Sequence, residues 1–272
     1  MRWHTFFVAL SLLTRIPVPE HILAKAYEKN ISSSVLFYPV VGGLIGAFLC
    51  LFSLILPDTF PDFLTSSLIL ILWVGLTGAL HLDGVADSAD AYFVSHKSPE
   101  KTLEVFRDPH VGAMSVICVC LLLIVKCALI AAVILGTSSV SVPEVTSSSS
   151  HQIPSDIGLL SVLFFCPVIS RFLAVLYMQY TAYARNDGIA AGLHLREFRL
   201  AVALMGIGLC VLGLLLFSFV IVFWVVLAAI GLLLGWRRLW LNNIGGYTGD
   251  CVGALIELFE VLFLFVLAWL VL

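Results

Sequence analysis

The run "LAVALMGIGLCVLGLLLFSFVIVFWVVLAAIGLLLG", residues 200–235, decides how this chain is built. It carries no charge, and its only polar side chain is Ser218. A helix that crosses a membrane needs about 20 apolar residues, because each adds about 1.5 Å against about 30 Å of hydrocarbon. This run of 36 residues is too long for one ordinary span. It reads as two spans with a turn at Ser218, and one very long tilted helix is the competing reading.

The rest of the chain fits the same class. Of its 272 residues, 61% are hydrophobic and 11% charged, and the mean hydropathy is +1.10. The expectation is an all-α polytopic membrane protein in one catalytic domain, residues 1–272. Seven spans are expected, at about 35–56, 63–82, 111–135, 157–182, 200–217, 219–235 and 251–272. The apolar runs are continuous rather than alternating, which argues against a β-barrel. The net charge of −3 offers no support for nucleic-acid binding. Seven cysteines lie mostly within apolar runs and form no CxxC pair, so they read as small buried hydrophobes.

The beginning "MRWHTFFVALSLLTRIPVPE" looks like a secretory leader. However, Arg15, Glu20, Lys25 and Glu28 crowd the stretch that should be small and neutral. A short interfacial or re-entrant helix is expected there instead.

Charge placement tests the map. Outside the spans, Lys and Arg fall in segments 1–34, 83–110, 183–199 and 236–250. The alternate loops, 57–62 and 136–156, have none and carry Asp58, Asp62, Glu144 and Asp156. This is the positive-inside pattern, with a cytoplasmic N-terminus and an external C-terminus. A single span in 200–235 would put Arg237 and Arg238 outside, so two are preferred. The serine-rich segment "GTSSVSVPEVTSSSSHQIPSD" reads as a flexible external linker. Gly42 and Gly46 form a GxxxG pair, which suits close helix packing.

The chemistry gathers in the basic segments. "HLDGVADSADAY", residues 81–92, places Asp83, Asp87 and Asp90 just after twenty uncharged residues. If the stretch continues the second span's helix, the four- and three-residue spacings put these carboxylates on adjoining faces, where like charges repel. A divalent cation removes the repulsion, and few hard oxygen ligands suit Mg²⁺ beside substrate phosphates. A solvated acidic helix end is the plainer alternative, although carboxylates there oppose the helix dipole. Gly84 lets another backbone or a ligand come close.

"RDPH", 107–110, adds Arg107 and Asp108. Asp108 suits an N-cap of the third span, with Pro109 at the first helical position, and also a further ligand. His81 and His110 read as packing or interfacial residues.

Charges within spans point to function by default. They are Lys126, Arg171, Glu257 and Glu260, with Asp250 opening the last span. Arg171 and Glu257 are candidates for touching substrate; internal ion pairing, for example with each other, is the alternative. "YARNDG" brings Arg185 and Asp187, and "NNIGGYTGD" brings Asn242, Gly246, Thr248 and Asp250. A Gly-rich turn entering a helix offers N–H groups to a phosphate, a weak signal without the Lys-Ser/Thr of a P-loop.

Six stretches together resemble the cobalamin synthase family of adenosylcobinamide-GDP ribazoletransferases. They are "LTRIPVP" 13–19, "FYPVVGGLIG" 37–46, "HLDGVADSADAY" 81–92, "RDPHVGAMSV" 107–116, "YAR…G" 183–188 and "GGYTGDCVGALIELFE" 245–260. The departures, Ala91 where many relatives have Gly and the long serine loop, touch no proposed ligand. The resemblance implies a Mg²⁺-dependent transferase of the bacterial inner membrane. It would join adenosylcobinamide-GDP to α-ribazole, or to its 5′-phosphate, with release of GMP. Asp83, Asp87, Asp90 and Asp108 are then the expected metal ligands, with Arg107 beside them. Arg15, Arg171, Arg185, Asp187, Asn242, Gly246, Thr248, Asp250 and Glu257 are the expected substrate contacts. Membrane lipid is an implied partner and nucleic acid is not; a homo-oligomer, or a complex with other nucleotide-loop enzymes, stays open.

Two rivals remain. A CDP-alcohol phosphotransferase would want D-x-x-D-G-x-x-A-R followed by G-x-x-x-D-x-x-x-D, whereas residues 83–90 read D-G-x-x-D-x-x-D with no AR in the motif. A cation-coupled transporter would line its midplane with polar groups.

Overall fold

The computed structural model describes residues 3–27, 31–94, 98–108, 110–138, 158–185 and 195–271. Its α-helices are α1 Trp3–Leu13, α2 Glu20–Tyr27, α3 Tyr38–Ile55, α4 Asp62–Thr77, α5 Leu80–Val94, α6 Pro99–Val105, α7 Ala113–Ser138, α8 Leu159–Tyr180, α9 Arg199–Leu216, α10 Phe219–Ile244 and α11 Gly249–Val271. Short 3₁₀ turns precede α3 and α9. Among the described residues no strand forms, and a lone parallel bridge joins Tyr183 to Tyr247. Six helices are long and apolar enough to cross a membrane, or seven if the bent pair α4–α5 counts as one span. The all-α polytopic expectation holds. The serine-rich stretch 139–157 and the segment 186–194 lie outside the described residues.

The run that opened the sequence reading folds as two helices. The chain breaks at Phe217, and the Ser218 hydroxyl accepts the N–H of Ile221 to cap α10. The isolated serine therefore does what its position suggested.

The second span differs from expectation. The acidic stretch does not continue it. α4 stops at Thr77, Gly78 and Ala79 both take left-handed backbone (φ 60° and 58°), and α5 leaves at 86°. The finish is a Schellman-type cap: Ala79 N–H donates to Val74 carbonyl and Gly78 N–H to Gly75 carbonyl. The neighbouring Leu76 carbonyl is taken by Arg15 N–H at 3.0 Å. The Val74, Gly75 and Leu76 carbonyls are thus satisfied without a continued helix, and the apolar count alone could not show the turn.

The start of α7 is a second correction. Asp108 caps nothing, because the helix begins at Ala113; Pro109 lies outside the described residues. The cap comes from Asp90 on α5, which accepts Gly112 N–H at 2.7 Å and Ser115 N–H at 3.1 Å.

Helices in lipid gain little from burying apolar surface against each other, so small residues and polar pairs decide their packing. α3 lies against α8 through the GxxxG pair. A Cβ on Gly42 would stand 2.3 Å from the Pro167 carbonyl oxygen, and one on Gly46 2.7 Å from Phe164 Cα. α11 is largely enclosed, packed on α5, α7, α8 and α10, whereas α9 and α10 leave most of their surface facing outward. Helix α1, too short to span, buries Val8, Ala9, Leu10 and Leu13 against the bundle.

Candidate active site

Helix α5 places the acidic stretch where two clefts meet. A cleft of about 520 Å³ is walled by Arg15, Gly78, Asp83, Val111, Ser115 and Val119 among others. A second, of about 500 Å³, includes His81, Asp83, Tyr183, Arg185, Tyr247 and Asp250. Asp83 and Leu80 belong to both, so one carboxylate serves two chambers on either side of the same helix.

Glycines set the closeness of the parts. A Cβ on Gly84 would stand 2.6 Å from the Asp250 carbonyl oxygen, so α5 lies directly on the first turn of α11. Half-buried Asp87 therefore sits in the field of Asp250, Asp83 and Asp90, opposed by Arg185. Arg185 donates to the Phe106 carbonyl at 3.2 Å and lies 3.7 Å from an Asp250 oxygen. Arg15 lays its stem across Gly78, in the space a side chain there would fill.

Several expected site residues have local work instead. Asp90 is occupied as the cap of α7, and a Cβ on Gly112 would stand 2.5 Å from its oxygens. Asp108 is exposed; the N–H of His110 at 3.0 Å and then its ring at 2.6 Å hold that carboxyl below its usual range. Arg107 is also exposed and, like Asp108, lines neither cleft. Thr248 is fully buried, where its hydroxyl accepts Cys251 N–H to cap α11. Gly246 brings its backbone against Ala182, with a Cβ position 2.3 Å from that carbonyl oxygen. Asn242 is exposed on the last turn of α10 and lines neither cleft. Asp187 lies outside the described residues.

The charges within the spans are paired. Lys126 donates to Glu257 at 2.8 Å and also to Glu260; Arg171 donates to Glu260. All four are buried and line neither cleft. Arg171 pairs with Glu260 rather than Glu257. Both former substrate candidates thus stand in an ion network whose charges balance, as buried charges require.

The four-aspartate metal set does not form as expected, because Asp90 and Asp108 are engaged elsewhere. Among the described residues, no three His, Cys, Asp or Glu side chains are grouped to hold a metal ion. Asp83 and Asp87 still fit Mg²⁺. That ion commonly takes one or two carboxylates and completes its shell with water and substrate phosphates. Asp83, Asp90 and Asp250 crowd around Asp87 with Arg185 opposing them, a charge imbalance that a dication relieves.

The residues not anticipated from sequence are Tyr183 and Tyr247. Their rings meet edge-on with centroids 5.3 Å apart, in the wall that holds Arg185 and Asp250. The signal was present: each tyrosine sits within two or three residues of a charged site residue, in "YAR" and "YTGD".

A family model described as Cobalamin-5-phosphate synthase matches residues 5–268. An adenosylcobinamide-GDP ribazoletransferase of Pseudomonas entomophila is 35% identical over 98% of this chain and 99% of its own. Proteins of the same name from Desulfitobacterium hafniense and Stutzerimonas stutzeri are 34% and 35% identical. The first alignment covers 95% of this chain and 94% of the relative, the second 93% of each. No solved structure gives a significant match.

Proposed function

The chain belongs to the cobalamin-5-phosphate synthase family, and we propose that it joins adenosylcobinamide-GDP to α-ribazole or to α-ribazole 5′-phosphate. The products are adenosylcobalamin or its 5′-phosphate, and GMP. A ribose hydroxyl oxygen of the base donor bonds to the phosphorus on the cobinamide side of the diphosphate. The bond from that phosphorus to the bridging oxygen breaks, and GMP leaves. The hydroxyl proton passes to a carboxylate at the cleft junction.

One observation carries this reading: two clefts of about 520 and 500 Å³ share Asp83, beside Arg15 in one and Arg185 in the other. A reaction between two large substrates needs such an arrangement, with the reacting atoms held near each other. Arg185 and Arg15 bring positive charge to phosphate oxygens. Tyr183 and Tyr247 offer ring faces and edges to a nucleobase. Asp83 and Asp87 are the residues that would hold Mg²⁺. Bound there, the ion supplies Lewis-acid neutralisation of the diphosphate and of the leaving phosphate.

The rivals lack such support. The midplane charges neutralise one another instead of lining a pathway, which removes the motive for a transporter. We place the protein in the bacterial inner membrane with its N-terminus and clefts on the cytoplasmic side, from the distribution of Lys and Arg.

The test is GMP release by purified protein in lipid nanodiscs with adenosylcobinamide-GDP, α-ribazole and Mg²⁺. Well-folded protein that yields no GMP overturns the activity. Activity that survives complete chelation of divalent ions overturns the metal alone. For the orientation, single cysteines replacing exposed Asp58 and Arg238 in an otherwise cysteine-free chain should be labelled from opposite sides, Asp58→Cys from outside.

A further inference from the structure

Helix α5 carries two buried polar residues that the reaction scheme above does not use, His81 and Ser88, and His81 lines a cleft. His81 is 4% exposed, yet it belongs to the wall of the 500 Å³ cleft with Asp83, Arg185 and Asp250. Its two ring nitrogens stand in different situations. Nδ1 meets the Arg171 guanidinium nitrogen at 3.3 Å, whereas Nε2 is buried without a hydrogen-bond partner.

That asymmetry fixes where the ring proton sits. A guanidinium has only donors, so the nitrogen it meets must accept. Nδ1 therefore carries no proton, and Nε2 carries one. Arg171 cannot swing away to release this arrangement. It is fully buried and held by Glu260, which is in turn held by Lys126 and by the Ser170 hydroxyl at 3.1 Å. On the other side, the Cα of His81 lies 3.3 Å from where a Cβ on Gly253 would be, so α11 presses directly on its backbone. The residue is thereby held at its backbone and at Nδ1, and it stands in the wall of the substrate cleft.

A buried donor without a partner costs about 1–3 kcal/mol. Such groups persist where a ligand or a transition state completes them. The neighbours in the cleft, Asp83 and Arg185, are the groups assigned above to the diphosphate.

We propose that His81 donates a hydrogen bond from Nε2–H to an oxygen of the substrate diphosphate, and that the buried Lys126–Glu260–Arg171 chain exists to impose this tautomer. On this account His81 is a catalytic hydrogen-bond donor and not a general base. The intramembrane charges then have a purpose in the reaction although none of them touches substrate. The proposal rests on the transferase reading of the same site.

The experiment has an activity arm and a spectroscopic arm. His81→Gln preserves a side-chain N–H donor, and His81→Phe preserves volume without one. In nanodiscs, His81→Phe should lower kcat by about 100-fold or more, the usual effect of removing one donor to developing oxyanion charge. His81→Gln should keep kcat within tenfold of the parent. Both should leave the thermal midpoint nearly unchanged. A His81→Phe protein with undiminished kcat, or a folded His81→Gln protein as inactive as His81→Phe, overturns the proposal.

Nitrogen-15 NMR of the unliganded full-length protein, with the His81→Gln sample used to assign the resonances, reads the ring directly. A protonated Nε2 with a bare Nδ1 is expected. A proton on Nδ1 overturns the proposal even if His81→Phe fails to fold. This readout needs no turnover, so failure of the transferase assay and failure of the His81 assignment are separate results.

Discussion

Arg185 reaches from the segment after α8 to within 3.7 Å of Asp250 at the first turn of α11. The same guanidinium donates to the Phe106 carbonyl beyond α6, so one side chain ties three connections into the wall of the substrate cleft. It is also the cation that opposes the crowded carboxylates around Asp87.

Arg185→Ala should therefore lower kcat/KM by about 100-fold, in line with the loss of a charge-assisted donor at a reacting phosphate. Arg185→Lys should recover only part, because an ammonium keeps the charge but not the planar set of donors that a guanidinium offers a phosphate. Steady-state GMP release measures both; equal activity of the Lys variant and the parent would refute the tether.

The aspartates of α5 should separate by role. Asp83→Asn and Asp87→Asn should each lose about 100-fold or more in turnover, as expected where charge at a metal-assisted site is removed. Asp90→Asn keeps a carbonyl oxygen to cap α7 and should stay within tenfold of the parent. Asp90→Ala removes the cap and should cost about 1 kcal/mol of stability. Turnover against Mg²⁺ concentration, with a thermal melt of each variant, checks this; equal loss at all three positions would contradict it.

The ion network should show strong non-additivity. Lys126→Met leaves Glu257 and Glu260 facing one remaining cation and should destabilise by about 3–5 kcal/mol. Adding Glu257→Gln restores charge balance, since Arg171 still pairs with Glu260. The double variant should recover more than half of the loss, read by thermal unfolding in detergent.

Helix packing offers a stability test away from the chemistry. Gly42→Ala drives a methyl toward the Pro167 carbonyl and should cost about 1–3 kcal/mol. Gly231→Ala, whose added carbon meets nothing within 4 Å, should be neutral or slightly stabilising. A thermal melt that ranks the two equally would refute the α3–α8 contact.

Much of this architecture was legible in the sequence because lipid imposes a simple rule on length and polarity. Ser218 was readable as a break because no other polar residue interrupts its apolar run. Gly42 and Gly46 were readable because only small side chains permit such an approach. The bend after Thr77 was not, since Gly78 is followed by Ala79, and an alanine gives no warning of left-handed backbone. The acidic stretch correctly marked the place of the site but not each residue's part in it. Asp90 differs from Asp83 only in what lies opposite, and the 22 residues separating it from Gly112 conceal that partner. Arg171 and Glu257 were visible as costly charges, yet whether they meet substrate or each other depends on helix rotation, which spacing does not report. Tyr183 and Tyr247 become a unit only through a bridge between segments far apart in the chain.

The joint between α4 and α5 has one further consequence. Two left-handed residues, a doubly bonded finish and the stem of Arg15 wedged over Gly78 fix the angle at which α5 leaves α4. The reacting groups on α5 thus keep one position relative to α4 and Arg15, and the substrate must come to them.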